Sequence, residues 1–308
     1  MINRTIIRIK VLQIIYAYYQ KEDRNIANAE KELMFSLQKA YDLYYYFLAL
    51  ISVLTDTRQK YLDLQKQKFL ATEEELNPNT RFINNRFAEQ LRTNEQLQKF
   101  TNEKGFLWNE DDSLFIKKLL KKILDSEIYT EYLDAEDSYE NDRKFWRKTF
   151  KNVIMEDDEL EENLEEKSIY WQDDIEIIGS FILKTIKRFS PETGKLQMLL
   201  PMFKDDEDRL FAQKLLRETI TGEVENNRRI EKQIKNWEMD RIACMDLYVM
   251  LIAMAELQNF SDIPISVTLN EYIDLARYYS TPKSPNFING ILDSIVNELK
   301  TENLLFKN

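Results

Sequence analysis

The amino-acid sequence predicts an all-α protein, and three observations carry that expectation. Five glycines and six prolines in 308 residues leave few chain-reversing turns. The strong helix formers Leu, Lys, Glu, Gln and Ala are abundant. Apolar residues recur at three- and four-residue intervals, the spacing of a buried helix face, and a hydrophobic content of 44% is enough to build a core.

The first helix is predicted from about Asn3 to Gln20, with Ile7, Val11, Ile14 and Tyr18 on one face. Ile6, Ile9, Leu12, Ile15 and Tyr16 make its other sides apolar too, as in a helix packed on more than one side. Residues 25–204 change character, and helices are expected near 26–70, 83–103, 110–125, 138–153 and 170–188. The loop-like Asn77-Pro78-Asn79-Thr80 and the acidic run Glu156 to Glu166, a solvated helix face or a linker, interrupt them. The tyrosine-rich stretch Tyr41 to Phe47 has core spacing and is expected to be buried.

The last hundred residues are more sharply punctuated, with helices expected at about 207–221, 223–236, 239–258, 266–279 and 285–300. Asp205 to Asp208 suit a helix N-terminus, Gly222 a C-cap, and Ser261-Asp262-Ile263-Pro264 a turn. Ser284-Pro285 reads as an N-cap followed by proline in the first turn. In the closing helix Phe287, Ile291, Ile295 and Leu299, flanked by Ile288, Leu292 and Val296, form the expected core stripe.

Composition narrows the function classes. With no histidine there is no Ser-His-Asp triad and no histidine-containing zinc site, and Cys244, the single cysteine, has no thiol partner within the chain. Cys244 lies in the apolar run Ile242 to Ala255 and is expected to be a small buried hydrophobe. Leu43 to Leu54 is too short an apolar run for a bilayer that needs about 20 residues, so no membrane association and a cytoplasmic location are expected. The opening residues read as a mature helix, because Arg4, Arg8 and Lys10 alternate with isoleucines and do not precede an apolar block. A net charge of -11 argues against indiscriminate nucleic-acid binding. Any such site must be a local patch, for which Arg4, Arg8, Lys10, Lys21 and Arg24, against Glu22 and Asp23, are the candidates. The carboxylates of the acidic run have no evident apolar pocket around them, and neither a cofactor nor a metal site is expected.

Three strings add a family resemblance: WEMDRIACMDLYVMLIAMAEL from Trp237, SDIPISVTLNEYIDLARYYS from Ser261 and FINGILD from Phe287. Their order and spacing resemble the NusB family. Ala255-Glu256-Leu257, Pro264, Asn270-Glu271 and Phe287 to Asp293 match its pieces one by one, and Gln13 and Tyr16 match its first helix. The likeness covers roughly residues 1–22 and 205–300. It implies NusB-like helical bundles, two small ones, formed by 1–24 with 205–308, plus an additional helical insertion of unknown role at 25–204.

The resemblance also implies a non-enzymatic transcription antitermination factor. Family members bind boxA-like leader RNA of ribosomal RNA transcripts together with NusE, a small-subunit ribosomal protein, within the RNA polymerase antitermination complex. Carried over residue by residue, the RNA-binding candidates are Arg4, Arg8, Lys10, Tyr16, Lys283, Asn286 and Phe287, and Asp246 is the partner-facing candidate. Arg4 and Arg8, one turn apart, would form a basic strip, whereas Lys10 projects elsewhere. Phe287 and Asn270-Glu271 also have structural readings, as a core anchor and a polar lock, and Gly290 would allow close helix approach.

The chain departs from the family pattern at Thr5, Ile6, Leu251 and Asn286, positions often basic elsewhere. Lys117, Lys118, Lys121 and Lys122 of the insertion are possible replacements. The alternative reading is a protein-protein scaffold that has lost direct RNA binding. An RNA-modifying enzyme is a weaker option, since some RNA methyltransferases carry a NusB-like domain, but no glycine-rich cofactor loop follows a strand in this sequence.

Overall fold

The computed structural model of the chain describes residues 1–105, 107–234 and 242–305. Among the described residues the regular structure is helical and contains no strand. In chain order the helices are α1 (Arg4–Gln20), α2 (Ile26–Lys66), α3 (Glu73–Leu76), α4 (Arg86–Arg92), α5 (Glu95–Lys104), α6 (Ser113–Leu124), α7 (Glu127–Asp134) and α8 (Tyr139–Thr149). They continue with α9 (Leu160–Lys167), α10 (Ile175–Arg188), α11 (Asp206–Thr221), α12 (Glu223–Gln233), α13 (Cys244–Asn259), α14 (Ile265–Tyr279) and α15 (Ser284–Thr301). The expected limits at 236 and 239, and Trp237, lie outside the described residues.

The chain divides into two compact units, one comprising Ile2–Leu37 with Phe203–Asn308 and the other Met1 with Gln38–Met202. In the first, α1 begins where the Asn3 side chain accepts the Ile6 N–H at 3.0 Å. Both apolar faces of α1 are buried, including Ile6, Ile7, Val11, Leu12, Ile14 and Ile15, and α1 packs on α11 and α13. Asp205 caps α11 by accepting the Glu207 N–H at 3.1 Å, and the acids of the first turn sit favourably at the helix's positive end. α13 is buried from Tyr248 to Leu257 and packs against α1, α11, α12, α14 and α15, as a helix apolar on all sides must.

Several details of this unit depart from expectation. α15 starts at Ser284 with Lys283 in the cap position, and the Ser284 hydroxyl, expected to cap the helix, donates instead to Asp246 at 2.9 Å. The buried line of α15 is Ile288, Leu292, Ile295, Val296 and Leu299; Phe287 and Ile291 sit half-buried at its edge because the line is rotated by about one residue. A Cβ on Gly290 would meet nothing within 4 Å, so this glycine does not serve close helix approach. Asn289 bonds Asp293 on its own helix at 3.3 Å.

In the second unit the part of α2 from Gln38 onward supplies Tyr44, Phe47, Leu48 and Ile51 to the core. Phe47 meets Phe150 edge-on at 5.4 Å, the Tyr44 hydroxyl pairs with Thr185 at 2.8 Å, and Trp171 donates its indole N–H to the Lys39 carbonyl at 2.7 Å. The single helix expected over 83–103 is two, α4 and α5, broken at Asn94. The buried Asn94 side chain accepts the Gln96 and Leu97 N–H groups and donates to the Gln197 carbonyl at 2.7 Å, a local competitor that ends one helix and starts the next. α8 runs on through a π turn, Phe150–Ile154. The acidic run contains α9, which buries Leu160 and Leu164 and turns Glu161, Glu162, Glu165 and Glu166 to solvent.

Candidate functional site

Within the unit formed by Ile2–Leu37 and Phe203–Asn308, the charged residues of α1 converge on carboxylates supplied by α11, α13, α14 and the turn before α14. Arg8 forms a two-pronged pair with Glu256, with both N–H···O distances 2.8 Å, and a third contact with Glu271 at 3.1 Å. Glu256 also accepts from Thr268 and from the Tyr272 hydroxyl, both at 2.9 Å, while Thr5 donates to Glu271 at 3.2 Å. The Arg8 and Glu256 side chains are 3% and 0% exposed. Burial pulls the Arg8 guanidinium down, but the hydrogen bond to Glu256 and the nearby Tyr272 and Glu271 outweigh it, and its pKa is raised. Tyr272 is held well above the ordinary tyrosine value by burial and by the Glu256 charge. This hub fastens α1 to α13 and α14, and Glu271 is indeed a polar lock between helices.

Arg4 reaches Asp262 at 3.1 Å and Asp208 at 3.6 Å, lies 5.0 Å from the Phe211 ring centre, and keeps its side chain 32% exposed. Lys10 is fully buried. The strip expected from Arg4 and Arg8 is therefore not an open basic surface, since Arg8 and Lys10 are withdrawn from solvent and Arg4 is partnered. Asp208, Glu256, Asp262 and Glu271 each lie more than two hundred residues from the arginine they partner, beyond the reach of a local charge count.

The other end of α1 presents different chemistry. Tyr16 is 43% exposed and meets Tyr248 of α13 edge-on at 6.2 Å, and Tyr248 stacks on Tyr19 at 5.2 Å. Arg24 lies over the Tyr19 ring at 5.1 Å and donates to the Tyr19 carbonyl at 3.2 Å. Two residues before Tyr248, the buried Asp246 accepts from the Ser280 and Ser284 hydroxyls and so ties the first turn of α13 to the start of α15. Lys283 and Asn286 are exposed there, with Phe287 half-buried beside them, and Lys283 has no charged partner among the described residues. Tyr16 thus meets α13 through Tyr248, whereas Lys283 and Asn286 flank Ser284, which meets α13 through Asp246, two residues earlier and on another face of that helix. Arg4, twelve residues before Tyr16, is about 18 Å away along α1. Asp246 is a helix tie whose carboxylate points inward.

Elsewhere, Cys244 is exposed, because it is the first residue of α13 and the buried run begins after it. In the other unit Lys118 pairs with Glu159 at 2.9 Å and Lys122 with Asp157 at 2.7 Å, whereas Lys117 and Lys121 are exposed on another flank of α6 and have no charged partner among the described residues. Among the described residues no cluster of three metal-ligating side chains is present, and no helix is long and apolar enough to cross a membrane. The carboxylates near the site are each committed to a cation or hydroxyl, and the arrangement suits binding more than bond-making.

The NusB family model matches residues 174–297. A transcription antitermination protein NusB of Salinibacter ruber is 39% identical over 132 residues, a match covering 41% of this chain and 82% of that relative. A transcription antitermination protein NusB of Geobacter sulfurreducens is 39% identical over 112 residues, covering 34% of this chain and 81% of the relative. A solved structure of T. maritima NusB is 30% identical, with 38% of this chain and 82% of that chain covered and a TM-score of 0.30.

Proposed function

This chain belongs to the NusB family of transcription antitermination proteins, and on that premise we propose that it binds boxA-like ribosomal RNA leader sequences together with NusE, a small-subunit ribosomal protein, and hands both to the RNA polymerase antitermination complex. The observation that carries this reading is the exposed Tyr16 ring beside Tyr248, in a unit that also exposes Lys283 and Asn286 at the start of α15. Short single-stranded RNA is held by a few cations and by bases stacked on aromatic rings, and this unit exposes one of each. Tyr16 stacks a base, Lys283 meets a phosphate, and Asn286 supplies an amide to a base edge or sugar. Phe287 backs the surface from its half-buried position. Arg8 and Lys10 act from inside the fold by fixing α1, and Arg4 contacts a phosphate only by giving up Asp208 or Asp262.

The mechanism is assembly without bond chemistry. Each ligand contributes contacts that lower the cost of recruiting the next. Asp246 sets the α13–α15 junction, and NusE docks against that side of the molecule. Residues 25–204, the added helical region, are assigned no RNA contact in this reading. The second reading, a protein-protein scaffold without direct RNA contact, is favoured by one observation: the cations of α1 are consumed within the fold.

The test is a titration of boxA-like leader RNA with the full chain, with and without the organism's NusE, at moderate salt. Binding that tightens when NusE is present is expected. Absence of binding in both mixtures would replace the first reading by the second.

A further inference from the structure

Within the unit that spans Gln38–Met202, a groove of about 1090 Å³ runs between the second half of α2 and α6. Its floor is apolar, built from Val53, Leu64, Ile116, Leu120 and Leu124, and the buried Trp108 closes one end, fixed by a bond from its indole N–H to the Tyr46 carbonyl at 3.0 Å. Lys117 and Lys121 stand on the rim. Their sequence neighbours Lys118 and Lys122 are spent on Glu159 and Asp157, which leaves this pair as the unpartnered cations of α6.

The same unit carries a segment of matching chemistry. Just past α2, Phe69 and Leu70 are 98% and 84% exposed. The residues that follow are ordered by a capping box, in which Thr72 and Glu75 exchange bonds at 3.2 and 3.0 Å, and by a Lys68–Glu75 ion pair at 2.5 Å. Glu73 and Glu74 face solvent and have no cationic partner among the described residues. Two exposed large apolar side chains and an open apolar groove in the same unit are surfaces that call for a cover.

We propose that the chain self-associates by a two-fold exchange in which Phe69 and Leu70 of each copy enter the α2–α6 groove of the other and Glu73 and Glu74 meet Lys117 and Lys121. Each copy has one such segment and one such groove, so a symmetric pair satisfies both and leaves neither open. The exchange also doubles the buried surface relative to one docked peptide, which brings it toward the size a specific interface requires. The mainly apolar floor of Val53, Leu64, Ile116, Leu120 and Leu124 suits an apolar segment better than nucleic acid. None of these residues belongs to the surface around Tyr16, so the proposal stands apart from the RNA reading.

Sedimentation velocity of the full chain tests it. A dimer is expected at concentrations on the order of 10–100 µM. The paired changes Phe69→Ser with Leu70→Ser, or Lys117→Glu with Lys121→Glu, are expected to raise the dissociation constant at least about tenfold. All four positions are exposed, so the fold is kept, which circular dichroism checks. Mixing the lysine-reversed chain with a chain carrying Glu73→Lys and Glu74→Lys is expected to restore association as a heterodimer. A chain that stays monomeric throughout this range, or a dimer indifferent to these changes, would overturn the proposal, and RNA binding would be unaffected by either result.

Discussion

Replacing Arg8 by alanine isolates what the buried hub does. The substitution leaves the Glu256 carboxylate 0% exposed and takes away its two-pronged cationic partner, while Thr268 and Tyr272 still donate to it. Removing one partner of a buried pair strands the other charge and costs about 3–5 kcal/mol, far more than the about 0–1 kcal/mol of an exposed pair. The same argument assigns Arg4→Ala the smaller figure, since Arg4 and Asp262 are 32% and 61% exposed. In thermal terms Arg8→Ala is expected to lower the melting temperature by roughly 6–20 °C, at about 2–4 °C per kcal/mol, and Arg4→Ala by less than about 4 °C. Differential scanning calorimetry of both variants measures this directly. The double variant Arg8→Met with Glu256→Gln removes the stranded charge, keeps an acceptor for Thr268 and Tyr272, and is expected to recover about 2 kcal/mol or more relative to Arg8→Ala. An Arg8→Ala protein that melts within about 1 °C of the parent would refute the assignment of Arg8 to the fold's interior.

Two further outcomes follow from the same physical reasoning. Gly290 is exposed within α15 and has open space around it, so Gly290→Ala is expected to stabilise the protein by about 0.5–1 kcal/mol, read from the shift in a urea midpoint. Burial pushes the Tyr44 hydroxyl up to about 12, against the lowering effect of its bonds with Thr185 and Leu200. The unfolded chain therefore loses this proton first, near pH 10, and stability that is complete below about pH 10 declines as pH rises toward the folded value, by on the order of 2–3 kcal/mol. Denaturation midpoints between about pH 9 and about pH 12 should fall with a slope to which the other buried tyrosines add, and Tyr44→Phe should reduce that loss by Tyr44's share.

The sequence makes legible those elements whose burial is all-round or strictly periodic. α1 and α13 carry apolar residues on nearly every side, and α14 and α15 carry a clear stripe, so their positions follow from side-chain pattern alone. Short elements such as α3, α7 and α9 leave too few turns for a period to emerge, and the break at Asn94 depends on a carbonyl of Gln197 a hundred residues away. The candidate site divides in the same manner. Lys283 and Asn286 are readable as polar residues at a helix start, whereas the exposure of Tyr16 on an otherwise apolar helix is not, and the burial of Arg8 is set by Glu256 from the far end of the chain. A charge seen in sequence carries no label for its counter-ion. Cys244 illustrates the converse, since an apolar neighbourhood in sequence did not prevent exposure at a helix start.

The most direct test of the RNA surface is the salt dependence of leader-RNA binding, in the presence of NusE, for the parent chain, Arg4→Ala and the pair Tyr16→Ala with Lys283→Ala. With one phosphate met by Lys283 and Arg4 held by Asp208 and Asp262, this chain is expected to contribute about -0.7 to the slope of log K against log salt, the value per phosphate on a single strand. The Tyr16 and Lys283 changes are expected to weaken binding roughly ten- to a hundredfold, through loss of about 1–3 kcal/mol of stacking and of one phosphate contact, and to flatten the slope by about 0.7. Affinity and slope unchanged in that double variant would contradict the account.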